Sequence, residues 1–122
     1  MTGGDTQSAE LFEDRKKAAE AKFRQEQAQA FRAEARRAKL AGLWAAEQLG
    51  LDGDAAVAYA ADMVGIAAVG ALKALEARIA EDFAARSILL AEGELVRRLG
   101  ELLAEARRQV AADLEAARPT PS

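Results

Sequence analysis

The chain contains no cysteine and no histidine. Their absence excludes disulfide scaffolds, thiolate zinc sites, cysteine and serine–histidine nucleophiles, and imidazole acid–base chemistry. Only two prolines occur, Pro119 and Pro121, so nothing breaks a helix before the last four residues. Aromatics make up 5% and the formal net charge is -3, which leaves no basic face with stacking rings for a nucleic acid. A long apolar run is missing too. The longest uncharged stretch, Met63–Leu72, is about half of the ~20 residues a spanning helix needs. It is expected to form a buried helix with a turn near Gly65 or Gly70. The first twenty residues are polar and charged, so no signal peptide is readable and no direct membrane insertion is expected. The expected location is the cytoplasm.

What is present is helix-forming material. The 122 residues suffice for one domain with a modest core. Alanine is about a quarter of the chain and β-branched residues are few. Charged residues, 30% of the total, are interspersed rather than blocked. The expectation is an all-α protein, a four-helix antiparallel bundle, with no catalytic equipment and no cofactor.

Residues 1–8 read as a flexible leader, with Ser8 as N-cap and Glu10 in the first helical turn. From Ala9 to Gln48 there is no proline and Gly42 is the only glycine, so the first helix is long. If fully helical it is roughly 60 Å, about twice the width of so small a domain. Its N-terminal part is therefore expected to project or to be partly disordered. In its second half, Phe31, Ala35, Ala38, Leu40, Leu43, Trp44 and Leu49 are dense enough to cover a helix face. Ahead of them, Phe12, Ala19, Phe23 and Ala30 make a thin stripe among charges, with Glu13–Lys17 and Glu20–Arg24 at i,i+4 spacing. Such a segment is marginal in water, and by periodicity it is either a solvated helix end that frays or a helix that orders in a partner's groove.

Gly50 fits the left-handed position after the first helix, with Leu51 making the apolar contact of a Schellman ending. Asp52 suits the N-cap of a second helix, about 53–64, carrying Val57, Tyr59, Met63 and Val64. A third helix, about 70–86, uses Leu72, Leu75, Ile79 and Phe83. A last one, about 92–117, keeps Leu95, Leu99, Leu102, Leu103, Ala106, Val110 and Leu114 on one face. The resulting division is an N-terminal partner-binding segment at 1–24, a four-helix bundle at 25–117 and a flexible tail at 118–122.

Candidates for chemistry are few. Asp52-Gly53-Asp54 opens like a calcium loop, but Ala56 follows and the other ligands are missing, so it reads as helix capping. No glycine-rich phosphate loop exists. Arg36, Arg37 and Lys39 read as a solvated face, and Trp44 and Tyr59 as core aromatics. Glu101 and Glu105 share a helix face, but a Glu-x-x-His metal pair is impossible without histidine.

The residues themselves go further than their periodicity. Phe12-Glu13-Asp14-Arg15-Lys16-Lys17-Ala18, Glu20, Lys22-Phe23, Phe31-Arg32, Ala35-Arg36-Arg37, Lys39-Leu40, Gly42-Leu43-Trp44-Ala45-Ala46-Glu47 and Leu49-Gly50-Leu51 resemble the zeta subunit family. So does the tail, with Glu92, Leu95, Arg98, Glu101-Leu102-Leu103, Ala106-Arg107 and Gln109-Val110. That family consists of small inhibitor subunits of alphaproteobacterial F-type ATP synthases. The match is good over about 12–64 and 91–110. The resemblance implies a four-helix bundle whose N-terminal segment inhibits ATP hydrolysis by the F1 sector. The segment would enter a catalytic α/β interface near the γ subunit and act as a wedge, much as the mitochondrial inhibitor protein does. It also implies the contact residues: Phe12 and Phe23 as apolar anchors, and Asp14, Arg15, Lys17 and Lys22 as ion-pairing groups. The complex would sit at the cytoplasmic face of the inner membrane.

Three departures bear on inhibitory strength. Ala19 stands where the family usually has a further Phe, and a buried Phe lost at a hot spot costs about 3 kcal/mol or more. The N-terminus is longer by roughly eight residues. Apolar Gly65-Ile66-Ala67-Ala68-Val69-Gly70 replaces an acidic, proline-containing loop. Two rival readings remain: a non-inhibitory helical protein-binding module, and an adenine-nucleotide sensor built on the Arg36/Arg37 face.

Overall fold

The computed structural model describes the backbone of residues 3–120 and the side chains of residues 8–120. Met1 and Thr2 of the expected leader, and Pro121 and Ser122 of the expected tail, lie outside the described residues. Three helices and no strands are present among those described: α1 (Gly3–Gln48), α2 (Gly53–Ala85) and α3 (Glu94–Ala117). The all-α expectation holds. Contacts divide the chain into two units, 1–31 and 32–122, with the boundary inside α1.

α1 starts at Gly3, so Ser8 lies within the helix rather than at its cap. No proline lies between residues 3 and 48 to force a later start. The end of α1 matches the expectation. Leu51 N–H donates to the Ala46 carbonyl at 2.8 Å and Gly50 N–H to the Glu47 carbonyl at 3.1 Å. Gly50, at φ +76°, supplies the left-handed residue this Schellman ending requires. Asp52 is the N-cap of α2 in extended geometry, but its side chain makes no capping bond.

The expected second and third helices form one element, α2, interrupted by non-helical backbone at Ala71 (φ 59°, ψ -157°). The helix runs through Gly65, and the break comes one residue after Gly70. Gly70 supplies space rather than a positive φ, because a Cβ there would collide with the Ala74 side chain. The positive φ falls on Ala71, a region almost reserved for glycine. α2 closes with a second Schellman pattern, Ile88 N–H to Phe83 carbonyl at 2.9 Å and Ser87 N–H to Ala84 carbonyl at 3.1 Å. Its left-handed residue is Ser87, φ +56°. α3 begins two residues later than expected, after Gly93 at φ +78°, with the Glu94 carboxylate accepting the Ala91 N–H at 2.8 Å.

In the 32–122 unit the core face of α1 is built from small residues. Ala33, Ala38, Ala41, Ala45, Ala46 and Leu49 are buried, whereas Leu43 is exposed and Ala35, Leu40 and Trp44 are only partly buried. The expected face thus shifts from large side chains to alanines. Small residues let two helix backbones approach: a Cβ on Gly42 would lie 2.6 Å from the Ala60 Cα. The volume comes from the other helices, with Met63, Leu75, Ile79, Phe83, Leu95 and Leu99 packed against the alanines. Fully burying side chains of this size stabilises by about 1.5–3 kcal/mol each before chain entropy is charged.

The stretch Met63–Leu72 departs from its expected burial. Met63 is buried, but Val69 is 93% exposed and Leu72 is exposed as well. α2 is long and apolar enough to cross a membrane by length and composition, and only 11% of its most apolar window is buried. The stretch is split: Met63 is a core residue and Val64, Ile66 and Ala67 pack partly buried against it, whereas residues 68–72, up to and just past the break at Ala71, are exposed.

Candidate partner-binding segment

Every described residue from Ser8 to Arg32 is exposed. This half of α1 holds Phe12 at 67% and Phe23 at 60% exposure. All six expected contact residues lie here, on one uninterrupted helix. Phe12 and Phe23 are eleven residues apart, about three turns and roughly 16 Å, so they share a face with Ala19 between them. Arg15 and Lys22 follow one edge of that face, at about 60–80° from the stripe, and Leu11 lies along the same edge. Asp14 and Lys17 fall on the opposite side of the helix. The helix therefore gathers Phe12, Phe23, Arg15 and Lys22 and leaves the other two apart.

The charged side chains here are not engaged with one another. Among the described residues every ion pair involves Arg36 or residues beyond it, so the expected Glu13–Lys17 and Glu20–Arg24 pairs do not close. Pairs this exposed gain a few tenths of a kcal/mol and lose side-chain entropy on closing. Two apolar contributors were not assigned to this segment from sequence. Leu11 (57% exposed) extends the apolar edge, and Phe31, expected in the core, is exposed as well. Buried α1 side chains begin only at Ala33. Phe31 shares a face with Ala38, seven residues on, which is why periodicity assigned it inward.

The basic run 36–39 is not a solvated face. Arg36 is held to α3 by Gln109 at 2.9 Å and Asp113 at 2.7 Å. Arg37 is buried, and its Nε has no acceptor among the described residues. Burial pushes its guanidinium below the usual range and Arg107 adds to this, while Glu34 pulls the other way. Lys39 alone of the three is exposed.

Trp44 packs on Phe83 with ring centroids 5.5 Å apart, and Arg98 Cζ lies over the Trp44 ring, 5.4 Å from its centroid. Tyr59 is buried and donates its hydroxyl to Asp82 at 2.7 Å. Burial first, then that hydrogen bond and the Asp82 charge, raise the phenol above its ordinary value. Glu101 pairs with Arg97 and Arg98, and Glu105 with Arg108. The hydrogen bonds from Arg108 and Gln109 hold Glu105 below the usual carboxylate range. No cluster of acids suited to a metal occurs among the described residues. Arg36 and Trp44 tie α1 to the other helices, Tyr59–Asp82 spans the two arms of α2, and the Glu101 and Glu105 pairs lie within α3, whereas the first half of α1 spends its side chains on none of these contacts.

The sequence profile of the ATPase inhibitor subunit zeta family matches residues 9–109. The chain belongs to that family. The matched span takes in all six expected contact residues, the alanine face of α1 and most of α3. No curated protein and no solved structure is significantly similar to the chain. Membership in a family of inhibitor subunits gives the chain a regulatory character and an association with ATP synthase.

Proposed function

We propose that the protein inhibits ATP hydrolysis by the F1 sector of ATP synthase, inserting the first half of α1 as a wedge at a catalytic α/β interface near the γ subunit. The observation that carries this reading is the full exposure of residues 8–32, with Phe12, Phe23 and Phe31 unburied on a helix. A protein that needed these rings for folding would bury them, at about 1.5–3 kcal/mol each. In a groove the same rings gain that burial. Arg15 and Lys22, on the edge of the stripe, would meet carboxylates at its rim. Phe12 and Phe23 are the anchors, and Asp14 and Lys17 reach the opposite wall.

The remainder of the chain holds the wedge. With α2 counted as two segments on either side of Ala71, it reads as a four-helix bundle. Binding to the cytoplasmic F1 sector would place the protein at the cytoplasmic face of the inner membrane.

The test is ATP hydrolysis by F1 stripped of its own small inhibitor. Full-length protein is expected to suppress hydrolysis, and a variant lacking residues 1–24 is expected not to. Inhibition surviving the deletion would refute the wedge. Binding without inhibition by both proteins would favour a non-inhibitory binding module.

A further inference from the structure

A second exposed feature lies in the 32–122 unit, at the break in α2. The chain breaks at Ala71, and an open cavity of about 580 Å³ sits there. Gly65, Ile66, Gly70 and Ala74 line it, between Asp62 at one end and Arg78 at the other. Val69, 93% exposed, stands on its rim as an apolar knob. One surface thus carries a knob, a shallow open hollow, and a charge of each sign.

We infer that this surface is the interface of a symmetric dimer between two copies of the chain. A two-fold contact requires a patch that complements itself, with each contact made twice. Here Val69 of one copy enters the hollow of the other, and Asp62 faces the partner's Arg78. Arg78 is equipped for this. It gives its Nε–H to Asp82 and uses its terminal amino groups on no acceptor among the described residues. A lipid surface fits less well. Membrane-surface helices carry a basic polar face, whereas this patch balances Asp62 and Glu76 against Lys73 and Arg78 on a chain of net charge -3. The patch is small, below the roughly 800 Å² per partner of a standard interface, so the dimer is weak. The inference stands independently of the inhibitory reading.

Sedimentation of the full chain from about 10 μM to about 1 mM, a span that reaches weak association, tests it. The mass is expected to rise from 13.0 kDa towards twice that value with concentration. Val69→Glu should stay monomeric throughout with an unchanged circular dichroism melt, since that side chain is exposed. Asp62→Arg should weaken the dimer at least about tenfold by setting like charges opposite each other twice. A wild-type chain monomeric at 1 mM would overturn the inference, as would a dimer indifferent to Val69→Glu. Flotation of the monomer with phosphatidylglycerol–phosphatidylethanolamine vesicles would also overturn it and assign the patch to lipid.

Discussion

The two halves of α1 invert the usual relation between size and burial. In residues 8–32 the helix leaves three phenylalanines in solvent, and in residues 33–48 it buries alanines, Gly42 and Arg37. Alanine contributes little apolar area, so the second half is buried for closeness of approach, not for the transfer energy of its own side chains. Phenylalanine contributes much, so leaving it exposed forgoes stability that a fold of this size would use. Under the proposed inhibitory function, residues that build the fold and residues left for a partner are distinguishable along one helix.

The comparison breaks if the exposed rings stabilise the fold or the alanine face does not. The largest expected effect is on inhibition. Phe12→Ala with Phe23→Ala should raise the inhibitory constant against F1 by roughly a hundredfold, since two truncated anchors cost about 2–4 kcal/mol together. The thermal melt should stay within about 0.5 kcal/mol of wild type, as for exposed sites. A melt lowered by several degrees would show that the rings belong to the fold. Gly42→Leu should do the reverse. Its side chain must enter a contact in which a Cβ already lies 2.6 Å from the Ala60 backbone. Denaturant unfolding should show a loss of about 1–3 kcal/mol, with inhibition intact under conditions where the variant is folded.

Ala19→Phe sharpens the contrast by adding a third ring between Phe12 and Phe23. About tenfold tighter inhibition without a change in melting is expected, a difference of about 1.4 kcal/mol in binding. Smaller effects belong to the backbone. Ala71→Gly and Ser87→Gly each place glycine at a positive φ and should stabilise by about 1 kcal/mol, read from denaturant midpoints. The smallest is a pH effect. Tyr59 has a raised value in the fold, so its contribution is fully present below the unfolded value near 10 and is lost as pH rises above it. Stability should therefore fall above about pH 10, and Tyr59→Phe should flatten that slope.

Much of this was legible residue by residue. The Schellman ending at Gly50, the buried Leu95, Leu99, Ala106 and Val110, and the exposed stripe of Phe12 and Phe23 follow from spacing and local chemistry. The left-handed Ser87 gave no such signal, since the glycine that marks this position elsewhere is absent. Phe31 and Leu43 misled for a different reason. Periodicity identifies a face by hydrophobicity, but packing chose the alanines, which allow α1 to lie close to Ala60. Arg36 and Arg37 look like any pair of surface cations until α3 brings Gln109, Asp113 and Arg107 to them.

By itself the sequence determined the helical class, the Gly50 stop, the amphipathic last helix and the family, because these depend on neighbours a few residues apart and on residue identity. Tertiary structure alone decided which α1 residues are buried, where α2 breaks, and that residues 68–72 lie exposed. Those outcomes depend on what lies across the helix interface, where a difference of one methyl group between Gly42 and alanine decides how near two backbones can come.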